Sequence, residues 1–178
     1  MTVHPIPPVY DEKSEILILG SFPSVRSREI RFFYGHPQNR FWRVLASLYG
    51  CPVPQTTEGK KTFLRVHRIA LWDVIASCEI EGSADSTIRN VTPNDLSAIL
   101  SSAPIRQIFV NGKTAETYYR RYTEPLIHRP AVCLPSTSPA NAAWPLDRLT
   151  EKWKEILSVH GENPAEPAEN SLYKNGSV

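Results

Sequence analysis

Three segments of the chain carry side chains that suit phosphate groups and a flat aromatic ring. Segment 20–43 follows the apolar residues 16–19 and holds five arginines against one acidic residue, together with the aromatic run 32–34. Arginine binds phosphate through several N–H groups at once, and exposed aromatic side chains stack on flat heterocycles. The second segment centres on Asp73, and the third, 135–144, is rich in serine, alanine and proline. Contact with nucleic acid is one interpretation of the basic segment, and a solvated arginine-rich loop is the other.

Hydrophobic runs and helical spacing predict the elements that must position these segments. Apolar runs without alternation predict buried strands over 16–19, 69–75, 105–110 and 131–134. Apolar residues at helical spacing predict helices over 39–49, 57–66, 92–102, 113–122 and 145–159. This alternation predicts a three-layer α/β/α fold with a central four-stranded parallel sheet. Because ligands bind such sheets beyond the carboxyl ends of the strands, the three segments should meet there.

The sequence also predicts where several elements begin. Thr57 is the expected N-cap of the second helix, and Thr92 followed by Pro93 is the expected start of the third. Residues 76–91 are expected to form a long loop between a strand and that third helix. The proline-rich residues 1–13 are expected to form an irregular arm.

Length and composition predict a single globular domain. The chain has 178 residues, of which 41% are hydrophobic and 21% are charged, and these values are ordinary for a soluble domain. We expect residues 1–160 to form that domain. Residues 161–178 are rich in glutamate, proline and small polar residues, so we expect a disordered tail. The formal net charge of +2 is small, so contact with nucleic acid must depend on the local basic segment.

The sequence favours an intracellular protein without a metal or other cofactor. No run of about 18 apolar residues predicts a membrane-spanning helix, and the N-terminus lacks the pattern of a signal peptide. The cysteines, Cys51, Cys78 and Cys133, have no zinc or iron–sulfur spacing, so we expect free thiols. The sequence also lacks a glycine-rich phosphate loop and the motif of a serine hydrolase.

Three stretches give the chain a resemblance to a known superfamily. Residues 34–42, YGHPQNRFW, are similar to the aromatic-x-His-Pro-x-Asn-Arg-Phe-Trp segment of mismatch-specific and hypoxanthine glycosylases. Residues 134–141, LPSTSPAN, resemble the second motif of the uracil-DNA glycosylase superfamily, and residues 69–75 resemble its strand whose Asn recognises uracil. The resemblance covers residues 16–157. It is closest to the hypoxanthine-DNA (deoxyinosine) glycosylase family, and it implies the uracil-DNA-glycosylase fold.

The resemblance implies residues for the reaction and for the base. Asn39 matches the Asn that is implicated in catalysis in the hypoxanthine family, and an N-cap of the following helix is the alternative. Tyr34 matches the aromatic residue that stacks on the extruded base, with core packing as the alternative. Phe22 departs from the family, because relatives carry there an Asp or Asn that orients the attacking water. Ser21 and Phe22 are nevertheless expected beside the base.

Asp73 stands where relatives carry the Asn that recognises uracil. A carboxylate can only accept hydrogen bonds. Asp73 could therefore accept N1–H of hypoxanthine or N3–H of uracil, whereas unmodified adenine has no hydrogen on N1. A structural carboxylate that caps the next loop is the alternative interpretation.

The resemblance also implies the residues that hold DNA. The expected phosphate contacts are Ser24, Arg40, Ser136 and Ser138. We call residues 135–144 the serine loop. In relatives, the corresponding loop also pushes a side chain into the gap that the base leaves in the DNA helix. Ala140 or Asn141 would be that wedge here.

The implied function is excision of deaminated bases from DNA in base excision repair, with hypoxanthine first and uracil second. The enzyme would flip the base and hydrolyse its bond to deoxyribose with water, without a cofactor. Lyase activity is not expected, because no lysine suited to a Schiff base lies at the strand ends. We expect a monomer that acts on DNA in the bacterial cytoplasm, at the nucleoid, and binds no membrane. A mismatch-specific uracil or thymine glycosylase and a non-catalytic nucleic-acid-binding domain are the alternatives.

Overall fold

The computed structural model describes residues 1–160, and the predicted tail, 161–178, lies outside the described residues. The strands are β1 Thr2–Val3, β2 Ile16–Gly20, β3 Ile69–Asp73, β4 Ile75–Glu79, β5 Arg89–Pro93, β6 Gln107–Asn111 and β7 Ala131–Leu134. The α-helices are α1 Val25–Ile30, α2 Phe41–Tyr49, α3 Thr57–Val66, α4 Ser97–Ser102, α5 Lys113–Tyr118, α6 Glu124–Ile127 and α7 Leu146–Trp153. Short 3₁₀ helices cover Asp85–Thr87 and Lys154–Val159, and a π-helical turn covers Tyr119–Thr123.

A four-stranded parallel sheet in the order β3-β2-β6-β7 forms the centre of the domain, as predicted. Strand β2 lies in the middle and is buried along its whole length. Ile16 and Ile18 join one apolar cluster, whereas Leu17 and Leu19 join another. This division follows from the alternation of side chains along a strand. Both faces of the sheet are therefore covered, which confirms the three-layer α/β/α prediction.

Helices from different parts of the chain cover the two faces. The first cluster contains Phe41 of α2 and Trp153 of α7, both of which are fully buried. The second contains Ile99 of α4, Ala115 of α5 and Tyr119 of the π-helical turn. Parallel strands need crossover connections, and these helices are the crossovers that bury the sheet.

The expected loop 76–91 is partly a second sheet, so that prediction was wrong. The expected strand 69–75 divides at Val74: β3 ends at Asp73, and β4 begins at Ile75 in an antiparallel sheet of order β1-β4-β5. The register between β4 and β5 shifts twice, so these strands lack the strict alternation by which a strand is recognised. Their side chains are mostly polar or half-buried, which hid them further.

The N-terminal arm is docked rather than merely irregular. Strand β1 pairs with β4, and Val9 forms an antiparallel bridge with Leu71 in β3. The side chain of Ile6 is buried, and its carbonyl oxygen accepts a hydrogen bond from Trp72 Nε1 at 3.1 Å. The arm therefore lies across β3 and β4 beside the carboxyl end of β3.

Several helix ends differ from the predictions by a few residues. Thr56, not Thr57, caps α3, because its hydroxyl oxygen accepts a hydrogen bond from Gly59 N. Thr92 and Pro93 end β5, and α4 begins only at Ser97. The expected helix 113–122 changes to a π-helical turn after residue 118, and the last helix changes to 3₁₀ geometry after residue 153. Within residues 1–160, no helix is long and apolar enough to cross a membrane.

Candidate active site

A cavity of about 1010 Å³ opens at the carboxyl edge of the parallel sheet. The loops that follow β2, β6 and β7 line it, together with Asp73 and the 3₁₀ helix Asp85–Thr87. The predicted site residues among the lining are Ser21, Phe22, Ser24, Tyr34, Asn39, Asp73, Ser136, Ser138, Ala140 and Asn141. The three segments that carry the candidate functional side chains therefore meet at this cavity. Of the predicted site residues, only Arg40 does not line it.

Asp73 ends β3 with its side chain 5% exposed and held by a residue from the N-terminal arm. His4 Nε2 lies 2.7 Å from Asp73 Oδ2. The other oxygen, Oδ1, has no hydrogen-bond partner among residues 1–160, and Asp73 lines the cavity. The main-chain oxygen of Asp73 accepts a hydrogen bond from Asn94 Nδ2 at 2.9 Å. The carboxylate is thus held through one oxygen and leaves one acceptor free.

Gly20 at the end of β2 allows Asp73 and Tyr34 to approach the sheet. A Cβ atom at position 20 would lie 2.3 Å from Asp73 Oδ1 and 3.0 Å from the Tyr34 hydroxyl, so any larger residue would displace the carboxylate. The Tyr34 ring stacks on Phe41 with a centroid separation of 3.9 Å, which leaves only its other face for a base. Tyr34 also has φ of 52°, a left-handed conformation that costs a side chain with Cβ about 1–2 kcal/mol.

The Tyr34 hydroxyl is a buried donor. It has no hydrogen-bond partner within the described part of the chain. Burial, and then the charge of Asp73, raises the pKa of the Tyr34 phenol, so it keeps its proton. An unpaired buried donor beside the free acceptor of Asp73 indicates a place where polar atoms of a ligand belong.

A chain of hydrogen bonds fixes the orientation of Asn39. Its Oδ1 accepts from Phe41 N and from the Thr137 hydroxyl, at 3.0 Å each. Thr137 is fully buried, and its hydroxyl accepts from Asn111 Nδ2 at 3.0 Å. Because a main-chain N–H can only donate, the oxygen of Asn39 must face Phe41. Its Nδ2 then has no partner among residues 1–160, so Asn39 offers the cavity a donor.

The structure gives Asn39 both of the roles that the sequence left as alternatives. The bond to Phe41 N serves the first turn of α2, whose formal N-cap, Arg40, makes no side-chain cap. Asn39 also lines the cavity. Capping and a place in the site are compatible because they use different atoms of one amide.

Arg40 binds the serine loop rather than facing the cavity. Its guanidinium donates to the carbonyl oxygens of Ser138 at 2.8 Å and Asn141 at 3.1 Å, and also to that of Trp144. Its main-chain N–H donates to Thr137 O at 3.1 Å. The contacts differ from the predicted phosphate contact, because the charged group is already occupied by the loop it holds. A motif pattern could not distinguish these two uses of an arginine.

The serine loop is ordered by its own side chains. Ser136 Oγ accepts from Ser138 N, and Ser138 Oγ accepts from Ala140 N, at 3.2 Å each. Both hydroxyls keep a hydrogen that could be donated to phosphate. Asn141 Nδ2 donates to Ser136 O at 3.0 Å, so this side chain is folded back, whereas Ala140 is exposed. Of the two wedge candidates, Ala140 is the one that the loop presents.

The three remaining predicted residues lie in the loop after β2. Ser21 Oγ donates to Asp85 Oδ2 at 3.1 Å. Ser24 is the N-cap of α1, since its hydroxyl oxygen accepts from Ser27 N. Phe22 is 7% exposed, and its ring meets that of His4 edge-on with centroids 5.8 Å apart. Ser24 therefore has a structural task that the sequence interpretation did not include.

Sequence reasoning missed His4, Asp85, Asn111 and Thr137. His4 lies in a proline-rich arm, and Asp85 lies among polar residues without periodicity, so neither carried a signal. The hydroxyl of Thr137 was overlooked between two serines that match a phosphate-binding pattern. Burial, assisted by the charge of Asp73, raises the pKa of the Asp85 carboxyl above its ordinary value. Two carboxylates thus share the cavity with the amide of Asn39 and the hydroxyl of Tyr34.

The arrangement can bind a ring by its polar edge and can position water without a metal. Among residues 1–160 no group of three His, Cys, Asp or Glu side chains is placed to hold a metal ion. Its donors include the Asn39 amide and the Tyr34 hydroxyl, and its acceptors include the carboxylates of Asp73 and Asp85. Such a set suits hydrolysis in which a polar leaving group departs from a positively charged centre.

Comparison with known proteins connects this site to established families. Residues 7–157 match the Uracil DNA glycosylase superfamily. The chain is 38% identical over 156 residues to the "Hypoxanthine DNA glycosylase" of Methanosarcina acetivorans, covering 85% of this chain and 95% of that protein. It is also 38% identical over 114 residues to the protein of that name from Methanosarcina barkeri, covering 63% of this chain and 72% of the relative. The solution NMR structure of a candidate uracil DNA glycosylase from Methanosarcina acetivorans superposes with a TM-score of 0.74 at 35% identity, covering 88% and 97% of the two chains.

Proposed function

Because the chain belongs to the uracil DNA glycosylase superfamily and is therefore a DNA N-glycosylase, we propose that it excises hypoxanthine from DNA. The free oxygen of Asp73 carries this proposal. It is an acceptor beside the buried Tyr34 hydroxyl, which is a donor. Hypoxanthine offers the complementary pair, because N1–H donates and the neighbouring O6 accepts. The names of both Methanosarcina relatives support the same substrate.

The same pair of groups discriminates against the undamaged base. Adenine has an amino group where hypoxanthine has O6 and an unprotonated N1 where hypoxanthine has N1–H. The adenine amino group would face the Tyr34 hydroxyl, donor against donor. Its N1 would face Asp73 Oδ1, acceptor against acceptor. A buried polar group that is left unpaired costs about 1–3 kcal/mol. These two protein groups alone should therefore make adenine bind more weakly than hypoxanthine. Uracil offers N3–H beside O4 and is the second substrate.

The base must leave the duplex to reach these groups. Enzymes that act on a base extrude it into a pocket and pay a few kcal/mol for unstacking. The serine loop lies at the mouth of the cavity and presents Ala140, and Tyr34 lines the cavity that receives the base. The hydroxyls of Ser136 and Ser138 bind the phosphates on either side of the extruded nucleotide.

Hydrolysis follows from the polar groups around the sugar. Water adds to C1′ while the bond from C1′ to the base breaks, and the electron pair of that bond leaves with the base. Asn39 Nδ2 donates to the departing base, and Asp85 accepts the proton of the attacking water and then returns it to the base. The two carboxylates and the DNA phosphates offset the positive charge that develops on the sugar. The raised pKa of the Asp85 carboxyl suits such a proton acceptor.

The protein acts as a monomer on DNA, with residues 1–160 as one glycosylase domain. Its activity belongs to base excision repair in the cytoplasm, at the nucleoid. Gel filtration with and without DNA measures the oligomeric state. A complex of two protein chains per lesion would contradict the monomer.

Excision from a labelled duplex tests the function. The wild-type protein is incubated with duplexes that contain one hypoxanthine, one uracil or only normal bases, and alkali then cleaves abasic sites. We expect cleavage at hypoxanthine, weaker cleavage at uracil and none in the normal duplex. Cleavage before alkali would contradict a monofunctional enzyme. Binding without any excision would instead support the non-catalytic domain, and faster excision of mismatched uracil or thymine would support the mismatch-specific alternative.

A further inference from the structure

The N-terminal arm delivers one side chain to Asp73, a residue that lines the cavity. The main-chain N–H of His4 donates to Ala76 O at 2.8 Å, and Val9 N–H donates to Leu71 O at 3.0 Å. These bonds attach the arm to β4 at His4 and to β3 at Val9. The side chain of His4 is only 2% exposed, so the arm buries a titratable residue at this place.

Both ring nitrogens of His4 have a partner, and the partners determine its protonation. Nδ1 accepts a hydrogen bond from Ile6 N at 3.1 Å. A main-chain N–H can only donate, so Nδ1 must carry a lone pair and no proton. Nε2, 2.7 Å from Asp73 Oδ2, then carries the single N–H. With Nδ1 as acceptor and Nε2 as the single donor, the imidazole is neutral, and Asp73 Oδ2 is the acceptor.

The surroundings protect this hydrogen bond from water and from competing groups. The ring of His4 is flanked by the aromatic rings of Phe22, Phe33 and Trp72, with centroids 5.8–6.3 Å away. The titratable groups that face Asp73 are His4, the Tyr34 phenol and Asp85. The first two keep their protons as donors, and the third has the same charge as Asp73.

We propose that His4 is a positioning residue that selects the base through Asp73. Its Nε2–H holds Oδ2 and turns Oδ1 toward the cavity. Without that donor, the buried carboxylate of Asp73 can rotate, and Oδ1 no longer has a fixed direction. N1–H of hypoxanthine would then lack an acceptor in the required place, and excision would slow. The inference rests on the proposed recognition of the base by Asp73.

Single-turnover excision of hypoxanthine and uracil at pH 7 tests His4. His4→Phe removes the donor and keeps an aromatic ring, so we expect the rate on hypoxanthine to fall at least about tenfold. His4→Gln can donate from nearly the same place and should recover part of the rate. Val3→Ala, in the same arm but 68% exposed, is the matched control and should leave excision unchanged.

The Asp73→Ala background separates positioning from a general structural effect. If His4 acts through Asp73, His4→Phe should lower excision no further in that background. Circular dichroism and thermal melting confirm folding, and His4→Gln alone decides the question if His4→Phe does not fold. A folded His4→Phe protein with wild-type rates would overturn the inference. So would a loss on His4→Phe that persists in the Asp73→Ala background.

The same measurements distinguish this inference from the proposed function. A wild-type protein that excises neither base would remove both. Wild-type excision that Asp73→Ala leaves intact would remove the role of Asp73 and the inference, but would leave the enzyme a glycosylase. Loss with Asp73→Ala and none with His4→Phe would remove only the role of His4.

Discussion

At the scale of single residues, the proposed catalytic donor, Asn39 Nδ2, is oriented by the oxygen of the same amide. Asn39 Oδ1 is held by Phe41 N and by the Thr137 hydroxyl, which turns Nδ2 away from both. We expect Asn39→Ala to lower single-turnover excision by about 10²–10³, because one donor to a transition state is lost. Equilibrium DNA binding should change little. Excision at the wild-type rate would contradict a catalytic Asn39.

Thr137→Val tests the orientation separately from the donor. Valine has nearly the shape of threonine but lacks the hydroxyl that bonds to Asn39 Oδ1 and Asn111 Nδ2. We expect excision to fall by about tenfold, less than with Asn39→Ala, because Phe41 N still holds the amide. Thermal melting should also reveal lower stability, since Asn111 loses an acceptor in a buried place. An effect on stability without one on excision would mean that Phe41 N alone orients Asn39.

The buried Asp85 carboxylate is expected to lower the free energy of unfolding at neutral pH while it supports excision. Burial and the charge of Asp73 raise the pKa of its carboxyl, so the folded state binds a proton that the unfolded state has already released. Stability therefore falls as the pH rises through the ordinary Asp range, and the cost persists at neutral pH. Asp85→Asn should raise the melting temperature at pH 7 but not in acid, and should abolish most excision. A lower melting temperature at pH 7 would contradict this account.

At the scale of elements, two loops are joined by one arginine. Arg40 lies directly before α2, and its guanidinium donates to four carbonyl oxygens of the serine loop. We expect Arg40→Ala to release that loop, to lower the melting temperature and to weaken excision. The slope of log K against log salt should stay nearly constant, whereas a lost phosphate contact would reduce it by about 0.9.

Arg43→Ala is the matched control for Arg40. Arg43 is exposed in the first turn of α2, and its guanidinium reaches only Gln38 O, at 3.4 Å. Its replacement should leave the melting temperature unchanged and reduce the salt dependence of DNA binding. Equal salt slopes for wild type and Arg43→Ala, with a reduced slope for Arg40→Ala, would reverse the two assignments.

The elements that the sequence predicted are those with strong hydrophobic patterns. The continuous apolar run of β2 and the helical spacing of α2 were sufficient to place them within one or two residues. Strands β4 and β5 were not predicted, because two register shifts and half-buried polar side chains remove their alternation. Position within the fold, rather than local pattern, makes them strands.

The candidate site also contains residues that the sequence identified and residues that it missed. Asn39 and Asp73 were identifiable because they stand in a distinctive segment and at the end of a buried strand. His4 lies 69 residues from Asp73 along the chain, and only the docked arm brings the two together. A sequence pattern records near neighbours, so a partner supplied by a distant arm leaves no trace in it.

At the scale of the whole molecule, ion pairs join the strands at the amino edge of the parallel sheet, and the candidate site lies at the opposite, carboxyl edge. Glu15 precedes β2, is 8% exposed and pairs with Arg68, Arg106 and His160. Burial alone would raise the pKa of Glu15, but hydrogen bonds from His160 and Arg68 and the charges of both arginines hold it below its ordinary value. These pairs join the starts of β2, β3 and β6 to the last described residue.

Glu15→Gln tests this set of ion pairs. A depressed pKa contributes stability above the unfolded value and loses it as the pH falls through the folded value. We expect the variant to be less stable at pH 7 by on the order of 1 kcal/mol, or about 2–4 °C, and to match wild type in acid. Excision measured well below the melting temperature should not change. A loss of stability that is constant with pH would contradict an ionic origin.

The docked arm has a consequence for how the molecule folds and opens. His4 and Asp73 are 69 residues apart along the chain, so their contact has a large entropy cost of loop closure. We expect that cost to be offset only after β3 and β4 have formed, because the arm docks on them. The arm can therefore detach without disrupting the parallel sheet, and base selectivity would vanish in a protein that is otherwise native. Hydrogen exchange should record this as faster exchange at His4 N and Val9 N than at Leu17 N in the central strand. The contact between His4 and Asp73 is thus expected to be among the last to form as the chain folds.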